Sequence, residues 1–444
     1  MPENSRPMEE ILRTIRDRKI EVVRFWLTDV LGRLKGFNIS VGELERGLSE
    51  GIMFDGSSVE GFVRIEESDL VAFPDPTTFR VLPEGVGSVP TAILICDIKY
   101  PDGRPFESDP RGVLRRNLEK ARAMGYEYYV GPELEFFYFP SESDPTPLDR
   151  GGYFDIMPLN QASAARKDAV LALMSMGFRV EASHHEVAHS QHEIDFRYSD
   201  ALSMADLLQV AKVIIKEKAR AHGLFASFMP KPVFGINGSG MHVHQSLFSG
   251  GENAFYSDSD PYNLSDVAKG FIAGLLAHAR EITAVTNQWI NSYKRLVVGY
   301  EAPVYICWGR KNRSALVRVP AFKKGRASSC RAEYRAPDPA CNPYLAFSVV
   351  PAAGLAGIKN KYPLPEPVEE DIYRLPDEVK REYGIDALPD SLYSAIEVME
   401  KSEVVREALG PELFAKYLAN KREEWERYRI QVTDYEIREY LPNL

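Results

Sequence analysis

The chain lacks long apolar runs. No uncharged hydrophobic stretch reaches the ~18 residues of a membrane span, and the start, Met1-Pro2-Glu3-Asn4-Ser5-Arg6, carries no apolar signal core. A membrane partner is therefore not expected. Cysteine is scarce: Cys96, Cys307, Cys330 and Cys341 show neither Cys-x-x-Cys nor zinc spacing, in a chain too large to need disulfides. That usage fits a reducing compartment and predicts a cytoplasmic location. A basic excess is missing as well, since 54 Lys and Arg against 64 Asp and Glu give a net charge of −10. Nucleic acid and anionic membranes are disfavoured as partners, although local basic clusters can still hold phosphates. The Gly-x-x-x-x-Gly-Lys-Ser/Thr loop is absent, which disfavours a P-loop fold. No internal repeat or low-complexity segment is present.

What the chain does have is five acidic residues and one histidine in strand-spaced positions: Glu133 and Glu135, Glu186 and Glu193, His242, and Glu333. Glu133-Leu134-Glu135, Glu193-Ile194-Asp195, His242-Val243-His244 and Glu333-Tyr334-Arg335 each alternate so that two polar groups share one face of a strand. Acidic residues on alternating strands are most often a solvated sheet face. Here Glu133 and Glu135 lie within Tyr128, Tyr129, Val130, Phe136, Phe137, Tyr138 and Phe139, a run that reads as a buried strand, where unpaired carboxylates are costly. Together with Glu186, these groups need hard cations such as Mg²⁺ or Mn²⁺ to neutralise them, because oxygen donors with few histidines suit those ions better than zinc. A multi-metal catalytic site is expected.

At 444 residues the chain exceeds one ordinary core, so a large domain with a smaller one is expected. Ile11, Leu12 and Ile15 are spaced for a helix over Met8 to Arg18, and Val23, Phe25 and Leu27 alternate as a strand. This small α+β unit closes with a strand over Thr91 to Ile98 before the turn Pro101-Asp102-Gly103, which places a boundary near residue 105. Beyond it the pattern predicts helices near 110–124, 162–176, 201–221 and 265–285, and strands at 126–139, near 179 and 193, and at 241–247. The expected architecture is an antiparallel sheet with one polar working face and helices on the other. Past residue 355 the chain is charged and helical, with helices over Ser391 to Glu400 and Pro411 to Tyr428. The loop Asp55 to Phe62, with two glycines and two serines among acidic groups, reads equally as a shaped functional backbone or a surface turn.

A cationic cluster follows: Lys294, Arg295, Arg310, Lys311, Arg313, Arg318, Lys323, Lys324, Arg326, Arg331 and Arg335. Arginines among turns, without acidic partners at helical spacing, form a phosphate or carboxylate cradle more readily than a solvated face. Metals and arginines without a P-loop point to ATP held by side chains and ions.

Five stretches then carry a resemblance: Phe54-Asp55-Gly56-Ser57-Ser58-Val59-Glu60-Gly61-Phe62, Gly131-Pro132-Glu133-Leu134-Glu135-Phe136-Phe137, Asn237-Gly238-Ser239-Gly240-Met241-His242, Asn291-Ser292-Tyr293-Lys294-Arg295-Leu296 and Pro337 to Leu345. In this order they closely resemble type I glutamine synthetase across nearly the whole chain. The resemblance implies an α+β protein, with a β-grasp domain over 1–105 and a catalytic domain with a curved antiparallel sheet over 106–444. It also implies a homo-dodecamer of two hexameric rings with active sites between subunits. The implied reaction joins ammonium to L-glutamate with ATP through a γ-glutamyl phosphate, using two or more Mg²⁺ (or Mn²⁺) per subunit.

By position, Glu135, Glu186 and Glu193 resemble the ligands of one metal, and Glu133, His242 and Glu333 those of the second. Glu181, Phe196, His244, Ser246 and Arg318 fall where the family contacts nucleotide. Asn237, Gly238, Arg295 and Arg335 fall where it holds glutamate, with Arg313 near the transferred phosphate. Asp55 resembles the acceptor of the ammonium proton, and Glu301 the flap carboxylate that shields the acyl phosphate. His184, His185, His189 and His192 crowd around Glu186, and are read as structural or supporting. Arg64 aligns with a residue linked to glutamine feedback in the non-adenylylated branch.

Some positions depart from the family pattern. Val298 replaces a proline often found before Gly299, and His189-Ser190 replaces a small or glycine-containing pair. The insertion of the adenylylated branch is missing, and the surroundings of Tyr373 differ from those of that branch's modified tyrosine. A ligase of the same fold acting on a polyamine or ethanolamine is the alternative, favoured by an apolar or open ammonium pocket, and Asp55 and Glu301 argue against it. A non-catalytic relative is disfavoured by the complete metal set.

Overall fold

The computed structural model describes residues 8–59, 69–87, 89–322 and 325–444. Arg64, Lys323 and Lys324 lie outside the described residues, as do Glu60, Gly61 and Phe62 of the acidic loop.

The first sheet contains β1 (Val22–Thr28), β2 (Leu34–Ser40), β3 (Ile52–Asp55), β4 (Asp69–Pro74), β5 (Arg80–Val81) and β6 (Thr91–Lys99), in the order β2-β1-β6-β4-β3, with β5 on β6. Only the central β1 and β6 pair in parallel. Val23, Phe25 and Leu27 are buried as their alternation predicts, and Trp26 is buried on the other face. Gly36 stands opposite Trp26, where an added Cβ would come within 2.6 Å of the indole. The helix Met8–Asp17 seats Ile11 and Ile15 in the core.

The second sheet is larger. It contains β7 (Glu127–Phe139), β8 (Val180–His185), β9 (Gln191–Phe196), β10 (Ser199–Asp200), β11 (Phe225–Ser227), β12 (Val243–Ser249), β13 (Glu252–Asn253), β14 (Trp308–Gly309), β15 (Val317–Arg318) and β16 (Ala332–Tyr334). Its main path runs β14-β15-β16-β12-β7-β9-β8, and every pair is antiparallel except β14 with β15. The long β7 is the spine, pairing β9 through Glu133 to Phe137 and β12 through Glu127 to Pro132. The helices Pro110–Ala123 and Ala201–Ala221 fall where periodicity places them, each started by an aspartate, Asp109 or Asp200, that accepts backbone N–H bonds.

Three expectations change in detail. The helix predicted over 265–285 is two helices, Asp266–Ala277 and Ala279–Thr286, divided at His278, whose backbone leaves the helical region and whose ring pairs with Glu281 at 2.9 Å. The strand predicted from 241 begins at Val243, although Glu133 N still donates to His242 O and Glu135 N to Gly240 O. Glu186 is not on a strand: it follows β8 in the connection to β9, its N–H donating to Gln191 O at 2.8 Å.

Arg111, on the helix Pro110–Ala123, pins the helical layer to the first sheet. It is buried and reaches Asp75 and Asp97 of the first sheet and Asp206 of the helix Ala201–Ala221, at 2.8 Å to Asp75 and 2.9 Å to Asp206. A buried guanidinium survives only with such partners.

Candidate active site

Strand register brings the carboxylates together. Glu133 faces Asp195 and Glu135 faces Glu193 across β7 and β9, while His244 faces Glu333 across β12 and β16. Leu134 and Ile194 alternate to the opposite face and are fully buried. The working face opens on a cavity of about 850 Å³.

Thirteen of the residues that the resemblance assigns to the site line this cavity: Glu133, Glu135, Glu186, Glu193, His242 and Glu333, then Asn237, Gly238, Arg295 and Glu301, then Arg313, Arg318 and Arg335. His244 touches it through Glu133, to which its Nε2 is bonded at 2.7 Å. Four do not line it within one chain. Glu181 is exposed on β8, Ser246 is buried further along β12, and the Phe196 ring is packed in the core. Asp55 ends β3 on the edge of the first sheet, exposed, where its Oδ1 accepts from Ser57 N at 2.9 Å and Ser57 Oγ at 2.6 Å.

The donors fall into tight groups. Glu133, His244 and Glu333 bring ligand atoms within 4.8 Å of one another, and so do His184, Glu193 and Asp195. His242 is bonded to Glu133 at 2.9 Å. Glu133, His242 and Glu333 fall together as in one expected ligand set, Glu193 of the other set falls in the second group, and His244, His184 and Asp195 are brought in beside them. The other three crowded histidines have structural partners, His185 on Asp149 at 3.1 Å, His189 on Gly151 O at 3.0 Å and His192 beside Arg166 at 2.6 Å.

Electrostatics divides the site. Burial and then the Glu186 charge push Glu135 up to about 8, and burial, with Glu301 and Glu133 nearby, pushes Glu186 up to about 7. Burial and Glu135 raise Glu193 well above the carboxylate range. On the other side burial opposes the charge of Glu333, but Arg335 overrides it and holds the group at about 2. Burial likewise opposes Glu133, and hydrogen bonds from His242 and His244 hold it well below its usual value. His242 is lowered to about 4 by burial and then by Arg335, so its ring is neutral and able to act as a donor to a metal.

These residues fit divalent cations. Three mutually repelling carboxylates stay ionised at neutral pH only if a cation offsets them, and Asp195 Oδ1 is buried with no hydrogen-bond partner among the described residues. The donors are oxygens with neutral imidazole, the chemistry of Mg²⁺ or Mn²⁺.

Arginines and the segment Tyr300 to Ala302 complete the cavity. Arg318 Nη1 reaches Glu333 Oε2 at 2.7 Å and Arg335 reaches the other oxygen. Arg295 is oriented by Ala336 O at 2.6 Å and Arg335 O at 3.2 Å. Asn237 Nδ2 donates to Glu301 Oε2 at 3.2 Å, and the Tyr373 hydroxyl donates to Ala302 O.

Other residues went unassigned in the sequence. Gln191 Nε2 donates to Glu135 Oε2 at 2.9 Å and to Gly238 O at 3.1 Å. Asp195 was legible from its spacing to Glu193. Tyr153 and Phe154, stacked at 4.0 Å, line the cavity from a loop with no periodicity that could have flagged them. Arg331, known only as one of the cationic cluster, donates to His244 Nδ1 at 3.2 Å.

A large antiparallel sheet that sets carboxylates and arginines around one cavity, with a smaller sheet beside it, is the α+β architecture of a ligase class. Residues 19–101 match the family described as glutamine synthetase, beta-Grasp domain, and residues 107–440 match glutamine synthetase, catalytic domain. The chain is 50% identical over 438 residues to the glutamine synthetase of Thermotoga maritima, covering 98% of this chain and 99% of the relative. It is 54% identical over 442 residues to that of Mycolicibacterium smegmatis, with the same coverage. A solved structure described as "GmaS/ADP complex-Conformation 1" matches with a TM-score of 0.89 and 31% identity, over 98% of this chain and all of that one. The chain belongs to the glutamine synthetase family.

Proposed function

We propose that the chain is an ATP-dependent glutamate-ammonia ligase that forms L-glutamine, ADP and phosphate. The observation that carries this reading is the cavity in which all six residues assigned as metal ligands face four arginines, with Glu301 at its wall.

A carboxylate is a poor electrophile, so the γ-carboxylate of glutamate must first take the γ-phosphoryl group of ATP. Glu135, Glu186 and Glu193 would hold one Mg²⁺ (or Mn²⁺), and Glu133, His242 and Glu333 a second, with Asp195, His184 and His244 beside them. When bound, these ions supply charge neutralisation between phosphate and carboxylate. Arg295 and Arg335, with Asn237 and Gly238, hold glutamate, and Arg313 faces the transferred phosphoryl group. Nucleotide lies along β12 and β15, where His244, Ser246 and Arg318 are carried, with Glu181 and Phe196 toward the β8 and β9 side.

Ammonium then binds, loses a proton to Asp55, and attacks the acyl carbon with loss of phosphate. Glu301 keeps water out and takes the later proton. Because Asp55 does not line the cavity of its own chain, this reading includes a homo-oligomer, a dodecamer of two hexameric rings, in which a neighbour's loop completes each site. Division near residue 105, between the two sheets, belongs to the same reading, as does a cytoplasmic location. No helix of the described residues is long and apolar enough to cross a membrane.

The alternative acceptor, a polyamine or ethanolamine, is less supported. Identity is 50% and 54% to the two glutamine synthetases but 31% to the GmaS structure. The test is glutamate- and ATP-dependent phosphate release with ammonium beside putrescine, spermidine and ethanolamine at equal concentration. Ammonium is expected to give the fastest turnover, and faster turnover with any of the others sinks the reading.

A further inference from the structure

Lys231 lies where three segments of the cavity meet. Its exposure is 9%. Its Nζ donates to the carbonyl of Ile236, the residue before Asn237. Its backbone N–H donates to Asn291 Oδ1 at 2.7 Å and its carbonyl accepts from Asn291 Nδ2 at 3.0 Å, which ties it to the short helix Ser292–Arg295 that bears Arg295. The third contact is to the flap: Nζ stands 3.7 Å from the ring centroid of Tyr300, next to Glu301. Little slack exists here, since a Cβ at Gly238 would meet Pro230 O at 2.2 Å and Lys231 Cδ at 3.2 Å.

The flap needs such holding. Gly299 has φ +97° and Glu301 φ +55°, a left-handed conformation that a glutamate adopts only when its surroundings enforce it. One of its ties, Asn237 to Glu301, uses the carboxylate that the chemistry needs. The Lys231 ammonium against the face of Tyr300 leaves that carboxylate free. Burial and then the Arg295 charge disfavour the ammonium, so the Ile236 carbonyl and the aromatic face are what keep it there.

We propose that Lys231 is a positioning residue that latches the flap to the glutamate-binding segment, and so protects the γ-glutamyl phosphate from water. This rests on the role given to Glu301 above. Without the latch, the oxygen of a water molecule attacks the γ-acyl carbon, the bond from that carbon to the phosphate oxygen breaks, and phosphate leaves with the electron pair. The water gives up a proton to solvent, and glutamate is regenerated with one ATP spent.

The test uses the assembled full-length enzyme with ATP, glutamate, Mg²⁺ and ammonium, and reads phosphate released per glutamine formed. In Lys231→Met the excess of this ratio above one, which is the intermediate lost to water per glutamine formed, should rise about ten-fold, the scale of one partly desolvated cation-π contact, and carry the ratio away from one. Lys231→Arg, which keeps a cation over the ring, should restore it toward one. Tyr300→Leu removes the ring while leaving the lysine, and should uncouple to a similar degree. If Lys231→Met does not fold, Tyr300→Leu decides alone. An unchanged ratio in Lys231→Met, or in Tyr300→Leu, overturns the latch if Glu301→Ala uncouples. An unchanged ratio in Glu301→Ala overturns the flap reading itself and the latch with it.

Discussion

Glu135 and Glu193 stand directly opposite each other across β7 and β9, two buried carboxylates on one face of one sheet. Both stay ionised at neutral pH only when a cation offsets them, because burial raises the proton affinity of each and the Glu135 charge raises that of Glu193 further.

Glu193→Ala should therefore lower turnover at least about one hundred-fold and weaken Mg²⁺ binding, since it removes one of the carboxylates facing the ion. Titration calorimetry with Mg²⁺, beside the activity assay, checks both effects. Full activity in this variant would remove Glu193 from the ligand set.

Gln191 is neutral, 1% exposed, and shared between Glu135 and the Gly238 carbonyl. Gln191→Leu keeps the approximate volume but strands the Gly238 carbonyl and the Ala188 N–H, which donates to Gln191 Oε1, while Glu135 Oε2 keeps the Gly240 N–H; each stranded group costs about 1–3 kcal/mol. The expected result is a raised glutamate KM with a lowered unfolding midpoint. Unchanged values of both would mean that the two segments are held by other contacts.

The Asp149 and His185 pair gives a pH prediction. Burial opposes the Asp149 charge, but the bond from His185 and the N–H of Ser190 hold it at about 2, below its unfolded value of about 3.9. Its contribution is present above about pH 4 and is lost as pH falls through about 2. His185 is shifted the other way: burial opposes its charge, the bond to Asp149 overrides it, and its pKa is raised. That contribution is complete below the unfolded value of about 6.5 and is lost as pH rises through the raised folded value. The stability difference between wild type and Asp149→Asn should thus be largest between about pH 4 and 6.5 and shrink on both sides. Thermal unfolding across that range measures it, and a difference that grows steadily with pH would contradict the pairing.

Much of this site was legible because β-strands repeat every two residues. Glu133 with Glu135 and Glu193 with Asp195 needed only that period and an apolar setting. The helix Ala201–Ala221 was legible in its amphipathic pattern. Glu186 was misplaced because a turn residue has no period, and only the fold brings it beside Glu135. His278 divides a continuously apolar pattern, so periodicity missed the break there. Gln191, Tyr153 and Lys231 act through contacts distant in sequence, with no local spacing to mark them. The grouping of His184 with Glu193 and Asp195 depends on the register of β8 on β9, which hydrophobic pattern alone leaves open.

Asp55 is on the rim of the first sheet and Glu135 is in the floor of the cavity. If the Asp55 loop completes a neighbour's site, neither Asp55→Ala nor Glu135→Ala homo-oligomers should form glutamine, and Asp55→Ala should lose turnover far more than ATP binding, since it serves the second half-reaction. Rings assembled from both variants by co-expression contain some interfaces where an intact loop meets an intact metal site. In an arrangement with one loop per site, those interfaces should restore partial activity in proportion to their number. Native mass measurement establishes the mixing and the glutamine assay reads the recovery. Mixed rings with no recovery would mean that each site is built from one chain, and the Asp55 loop would then have to move to reach its own cavity.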